Sequence, residues 1–479
     1  MEIRTRLLIG GEWTEGAGRF PTVNPATEET IAEVEEAGPA EVDAAVRAAR
    51  EAFGSPEWRE VDPHRRAALL WRLADLIREH AAELAEIETR DNGKPSFESA
   101  RVDLPFVVQN YRYYAGWADK LTGRTIPVSG PFLNYTLREP VGVVGAIVPW
   151  NFPLSLASWK VAPALACGNT VVLKPAEETP LTALMLGELA LEAGFPPGVL
   201  NVIPGRGEVT GRALVEHPGV DKIAFTGSTE TGREVMRAAA GTLKKVSLEL
   251  GGKSPNVVFA DADLEAAVRG ATTGIFYGKG EVCAAGSRLL VEESVREELT
   301  ERLAERAQRM APGDPTHPKT KLGPLVSRKQ RERVLGYIEA GVEDGARLRA
   351  GGEPAQVDGK GYFVQATVFD RVEPDMRIAR EEIFGPVVAV LGFEDLEDAV
   401  DKANRTMYGL AAGVWTRDVG KAHRFARAVQ AGTVWVNTYN RYDSASPFGG
   451  VKASGFGRDL GEHALEEYTQ TKSVWIALD

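Results

Sequence analysis

The chain is 479 residues long, 43% hydrophobic and 26% charged, and its 56 basic and 68 acidic side chains give a formal net charge of -12. That length exceeds the roughly 250–300 residues a single core sustains, so two or three domains are expected. The interspersed, acidic charge excludes a general affinity for nucleic acid, and two cysteines, Cys167 and Cys283, exclude a disulfide framework and point to a reducing, cytoplasmic setting.

The N-terminus has no apolar run of signal-peptide length. The longest apolar-rich stretch, 141–149, is interrupted by glycines and falls far short of the ~20 residues of a membrane helix. The first third reads as mostly helical. Segments 39–53 and 62–90 carry apolar residues at three- and four-residue spacing, Asn92-Gly93-Lys94-Pro95 stops the second, and another helical pattern reaches about Trp117. Between 121 and 139 the mixture of Thr, Val, Tyr and turn residues predicts extended strands, placed as a projecting arm. From Val141 short β-branched runs (VGVVGAIVPW, NTVVLKPA, GVLNVIPG, DKIAFTGS, KKVSLELGG) alternate with amphipathic segments such as 180–193 and 229–240. That alternation predicts a parallel sheet with crossover helices. A second alternating region runs from Pro255 to about Asn437, with helical patterns at 264–276, 295–310, 396–404 and 419–430, and the chain ends in the strand-like KSVWIAL. The fold class is therefore α/β, with two α/β units and a small extended arm.

Several residues are candidates for chemistry. Cys283, in GKGEVCAAGSR, lies in a loop between a helical and a strand pattern. It is either a thiolate nucleophile able to add to an aldehyde or a small buried hydrophobe. Glu249 ends a strand and precedes two glycines, which suits a general base beyond the carboxyl edge of a sheet but equally a solvated carboxylate. Asn151, within PWNFP, can donate to an oxyanion or simply form a turn. FTGSTETG sets Gly227 and Ser228 between a strand and a helix, a place for phosphate or an ordinary N-cap. Lys174 and Glu177 follow another strand, where they reach ribose hydroxyls or belong to a solvated loop. The six histidines are scattered and there is no HExxH or paired CxxC, so no catalytic metal is expected.

The order PWNFP, KPAEETP, FTGSTETG, LELGGKSP, the Cys283 segment, EEIFGPV and PFGGVKASGFGRDLG resembles the aldehyde dehydrogenase superfamily over nearly the whole chain. The resemblance implies a Rossmann-like cofactor domain (1–120 and 141–251), a second α/β catalytic domain (252–452) and a β oligomerisation arm (121–140 and 465–479). It also implies a homo-oligomer, dimer or tetramer, acting on a small-molecule aldehyde with no nucleic-acid or membrane partner. By motif, Cys283 matches the nucleophile, Asn151 the oxyanion donor and Glu249 the base that activates water against a thioester. Cofactor contacts fall on Ile147, Pro149, Trp150, Lys174, Glu177, Gly207, Gly211, Phe225, Gly227, Ser228, Glu382 and Phe384. Phe152, Leu156, Trp159, Val282 and Tyr442 are expected to line the substrate tunnel, with Arg441 either attracting a substrate carboxylate or facing solvent. Lys160 and Glu462 match a proton relay from the base. Glu177 favours NAD by accepting from both ribose hydroxyls, and NADP stays possible.

The implied reaction is oxidation of the aldehyde to a carboxylic acid through a thiohemiacetal and thioester on Cys283. Two alternatives share the fold: a CoA-acylating semialdehyde dehydrogenase and a catalytically silent structural member. The chain departs from the family in carrying Glu281 where Gln is usual and Gly278 where Asn is frequent. An ionised Glu281 beside Cys283 is expected to disfavour the thiolate, so that Glu281→Gln lowers the pH at which activity rises.

Overall fold

A computed structural model describes residues 3–478. Residues 1, 2 and 479, which the expected domain boundaries include, lie outside the described residues.

Two sheets organise the chain. The first has eight strands in the order Glu12–Thr14, Leu7–Ile9, Leu200–Val202, Thr170–Lys174, Val143–Ile147, Lys222–Thr226, Lys245–Glu249 and Gly455–Phe456. Its five central strands are parallel, and antiparallel strands close both edges. Strand order reverses at Val143–Ile147, so crossovers leave to both sides and a crevice opens beyond the ends of Val143–Ile147 and Lys222–Thr226. Ligands of open α/β sheets bind at such switch points. Val143–Ile147, Thr170–Lys174 and Lys222–Thr226 are buried along their whole length, which explains their uninterrupted apolar runs.

The second sheet orders seven strands as Arg347–Ala350, Thr367–Asp370, Val387–Phe393, Arg288–Glu292, Pro255–Val258, Ala411–Trp415 and Thr433–Val436, parallel except at the first. The arm is a third, antiparallel sheet in which Phe132–Pro140 pairs from end to end with Thr469–Ala477 and is flanked by Thr125–Ile126.

The helix Pro153–Ala166 follows the PWNFP segment, and every one of its residues is buried. A helix that is apolar all round packs inside rather than on the surface. It carries Leu156, Trp159 and Lys160 into the interior together.

The N-terminal third departs from the mostly helical expectation. The short strands Leu7–Ile9 and Glu12–Thr14 join the first sheet, and Gly18–Val23 pairs with Thr30–Glu36 as a hairpin. The single helix expected over 62–90 is two, Pro63–Glu79 and Ala81–Asn92, broken at His80. Asp62 caps the first by accepting from the His64 N–H, with Pro63 in the first turn. Gly93 ends the second in a left-handed conformation, where a Cβ would come within 2.7 Å of Pro25 and 2.8 Å of Pro324. No helix among the described residues is long and apolar enough to cross a membrane.

Candidate active site

The helix Leu264–Phe276 runs into three successive left-handed residues, Gly278, Lys279 and Gly280, with φ of 56°, 61° and 71°. This turn delivers Cys283, half-buried and unpaired, ahead of the strand Arg288–Glu292. The Asn151 amide donates from Nδ2 to the Glu281 carbonyl at 2.9 Å, which ties the PWNFP loop to the cysteine loop. One hydrogen of that amide remains for a ligand. Burial pushes the Cys283 thiol up to about 12, and the nearby carboxylates of Glu382 and Glu249 act in the same direction. Cys167 is buried at the carboxyl end of the helix Pro153–Ala166.

The expectation that Glu281 sets the reactivity of Cys283 is corrected by its surroundings. Its carboxylate is buried 2.8 Å from Lys279 Nζ and accepts from the Val326 N–H at 3.0 Å. Burial raises the Glu281 carboxyl while these partners lower it, and the thiol is raised first by its own burial and then by Glu382 and Glu249.

Glu249 closes the strand Lys245–Glu249 with its side chain buried, and neither carboxylate oxygen has a hydrogen-bond partner among the described residues. Burial raises its pKa well above the usual range, Asp459 raises it further, and Lys160 and Arg458 oppose them. Burial thus favours the protonated carboxyl, and a carboxylate there takes up a proton more readily than an exposed one.

Of the two residues matched to a proton relay, Lys160 is buried and Glu462 is exposed. Lys160 Nζ lies 2.8 Å from Asp459 Oδ2, both buried, whereas Glu462 is exposed at the start of the short helix His463–Glu467. Leu460 and Gly461, both at positive φ, turn the chain between the two carboxylates and send one inward and the other out. Nearby, Lys222 Nζ donates to Ser247 Oγ at 2.9 Å and pairs with the partly exposed Glu467 at 3.4 Å. Charged groups thus continue from Glu249 toward solvent through residues the motif reading missed. Their one signal was a carboxylate in the same GRDLGE segment.

The other candidates gather on the crevice side of the first sheet. Ile147 ends its strand, and Pro149 and Trp150 follow, with the Trp150 ring edge-on to Phe384 at 5.2 Å. Lys174 Nζ pairs with Glu177 Oε2 at 3.1 Å. Ser228 caps the helix Thr229–Ala240 by accepting from the Thr231 N–H, and the Phe225 ring lies against Gly227. Gly207 and Gly211 bound a single wide turn, and nothing lies within 4 Å of where their Cβ atoms would be. Glu382 accepts from the Gly252 N–H at 2.9 Å, and burial pushes its carboxyl up to about 7. A helix N-terminus, two open glycines, a ring and an ion pair at one switch point suit the phosphates, ribose and base of a dinucleotide. No cluster of metal-ligating side chains occurs among the described residues.

Phe152, Leu156, Trp159, Val282 and Tyr442 all line one cavity of about 660 Å³ that reaches Cys283. The sequence reading missed Phe106, Tyr277 and Phe448 in the same wall. The rings of Trp159, Tyr442 and Phe448 pack on one another at 5.4–6.3 Å between centroids. Arg441 is exposed at the rim.

Comparison with known proteins agrees with this arrangement. The profile of the aldehyde dehydrogenase family matches residues 13–474. Retinal dehydrogenase 2 of Homo sapiens is 50% identical over 483 residues, covering 100% of this chain and 93% of the relative. The NAD+ complex of aldehyde dehydrogenase from Bacillus cereus superposes with a TM-score of 0.98 at 52% identity, over 100% of this chain and 97% of that one. The P. syringae AldA indole-3-acetaldehyde dehydrogenase, solved with NAD+ and IAA, gives a TM-score of 0.98 at 47% identity over 100% and 97%. The chain belongs to the aldehyde dehydrogenase family.

Proposed function

We propose that the protein oxidises an aldehyde to a carboxylic acid with NAD, or less readily NADP, through a thioester on Cys283. One observation carries this reading. The loop of Cys283 holds the Asn151 amide at 2.9 Å, while a buried carboxyl without a partner, Glu249, raises the pKa of the same thiol. Nucleophile, oxyanion donor and base are thereby brought together.

The Cys283 thiolate adds to the carbonyl carbon, and the Asn151 Nδ2–H, with the Cys283 backbone N–H, holds the resulting alkoxide. NAD, when bound, would supply the acceptor for the hydride of this adduct, which leaves a thioester on Cys283. Glu249 then takes a proton from water as the water attacks the thioester, and the acid departs. The proton leaves toward solvent by way of Lys160 and Asp459. Ser228, Gly227, Gly207 and Gly211 would cradle the pyrophosphate, Lys174 and Glu177 would hold the adenosine ribose, and Glu382 and Phe384 would orient the nicotinamide end. The first sheet thus serves as the cofactor domain and the second as the catalytic domain.

The aromatic and aliphatic wall suits an aromatic or extended apolar aldehyde. The names of the relatives, retinal and indole-3-acetaldehyde dehydrogenases, point to the same class. The arm exposes Phe132, Leu133, Leu137, Trp475 and Ile476, which favours assembly of a homo-oligomer through it. Both thiols are unpaired, in keeping with a reducing, cytoplasmic setting. The test is a panel of aldehydes followed by reduced-cofactor absorbance and product analysis. Acid formed without CoA by the wild type, and none by Cys283→Ala, supports the proposal; turnover by Cys283→Ala, or a strict need for CoA, overturns it.

A further inference from the structure

The three left-handed residues before Cys283 include one that is not glycine. Lys279 has φ of 61°, flanked by Gly278 and Gly280, and its side chain is buried. A buried lysine in a left-handed turn persists only where its surroundings hold it. Its Nζ sits among three oxygens: the Asn92 carbonyl at 2.8 Å, Asn92 Oδ1 at 2.9 Å and Glu281 Oε2 at 2.8 Å.

Each partner leads to the reaction centre. Asn92 Nδ2 donates to the Trp150 carbonyl at 2.8 Å, one residue before Asn151. Glu281 accepts from Val326 N–H through Oε1, and through its backbone oxygen accepts the Asn151 amide. The loop is also wedged from behind, since a Cβ on Gly280 would stand 2.1 Å from the Gly385 oxygen. Lys279 and Glu281 therefore join both ends of the contact between the cysteine loop and the Asn151 loop, on the side away from the cavity. Neither lines the cavity that reaches Cys283.

We propose that Lys279 and Glu281 are a positioning pair that sets the Asn151 amide relative to the Cys283 sulfur, and that they act as one unit. Either charge alone is a liability, because removing its partner leaves an ion buried without compensation. A neutral pair that keeps the hydrogen bonds can replace both. Glutamine at both positions retains a donor toward Asn92 and an acceptor for Val326 N–H. The pair thus accounts for the tolerance of an acidic residue two positions before a nucleophilic sulfur.

This inference rests on the proposed roles of Cys283 and Asn151. Its test is a double-mutant cycle of Lys279→Gln, Glu281→Gln and the double variant, reading kcat, aldehyde KM and cofactor KM. Each single variant is expected to lose kcat by about tenfold or more, since small misplacement of a reacting group is costly, with cofactor KM within about twofold of wild type. The double variant is expected to recover kcat to within about threefold of wild type. Singles that do not fold, beside a double that folds and turns over, demonstrate the same coupling. Single variants with unchanged kcat, losses that multiply in the double, or a double variant that is insoluble or inactive overturn the proposal. Cys283→Ala run in parallel separates the two ideas: it stays inactive if only the pairing is wrong, and turns over if the reading of the site is wrong.

Discussion

Lys160 Nζ and Asp459 Oδ2 meet at 2.8 Å inside the protein, one from the buried helix Pro153–Ala166 and the other from the loop after Gly455–Phe456. Neither charge has water to fall back on, so each exists because of the other. Both also act on Glu249, and in opposite directions: Asp459 holds its proton on and Lys160 draws it off.

Asp459→Asn therefore has two expected effects. It strands the Lys160 ammonium, and breaking a buried pair from one side costs about 3–5 kcal/mol, read as a lower urea midpoint. It also removes a negative charge that raises the Glu249 pKa, so the acid limb of the kcat profile moves to lower pH. Glu462→Ala, at the exposed position the motif pointed to, leaves midpoint and profile as in the wild type. An effect of Glu462→Ala matching that of Asp459→Asn returns the relay to Glu462.

Glu249→Gln separates the two halves of the reaction. A base needed only against the thioester can be lost without stopping the first oxidation. The variant is expected to give a burst of reduced cofactor close to one per active site and then a steady-state rate lower by ~10²–10⁴. Absence of the burst means that Glu249 serves the attack by Cys283 instead. Stability changes the other way. Burial raises the folded-state pKa of Glu249, so its charge costs stability at pH 8 and costs none below the unfolded value of about 4.3. The variant is expected to melt higher than wild type at pH 8, and the difference to shrink toward pH 4.

What the sequence discloses here follows the range of the interaction. Strands such as Thr170–Lys174 and Lys222–Thr226 are buried on both faces, so composition alone marks them. Asn151, Glu249 and Cys283 sit in short motifs whose order is distinctive. The short N-terminal strands carry little pattern of their own and exist because the sheet edge and a hairpin partner accept them. Asp459 and Glu462 lie three residues apart in one loop, and only the positive φ at Leu460 and Gly461 decides which turns inward. Lys279 and Glu281 look like exposed charges along the chain. Their burial against Asn92 and Val326 depends on segments nearly 190 and 45 residues away.

The thiol of Cys283 is pushed up to about 12, first by burial and then by Glu382 and Glu249. Removing the Glu382 charge favours the thiolate and lowers that pKa. In the free enzyme at pH 8, Glu382→Gln is expected to be alkylated by iodoacetamide at Cys283 between about threefold and tenfold faster than wild type, up to one pKa step. Replacing both members of the neighbouring pair, Lys279→Gln with Glu281→Gln, is expected to leave the alkylation rate close to wild type, because the pair carries no net charge. Acceleration by that double variant with none by Glu382→Gln reverses the assignment.

On the proposed placement of the adenosine ribose, cofactor choice turns on the ion pair of Lys174 and Glu177, 3.1 Å apart at the end of the strand Thr170–Lys174. The lysine is buried and the carboxylate half-exposed. A carboxylate there accepts from ribose hydroxyls and repels a 2′-phosphate, while the lysine attracts both cofactors. Glu177→Gln keeps an acceptor and removes the repulsion, and it also frees the Lys174 charge for the phosphate. The ratio of kcat/KM for NADP to that for NAD is expected to rise roughly tenfold, chiefly through a lower KM for NADP. Lys174→Ala is expected to weaken both cofactors and to move the ratio far less. A ratio unmoved by Glu177→Gln places the ribose elsewhere along the crevice, and with it the discrimination between the two cofactors.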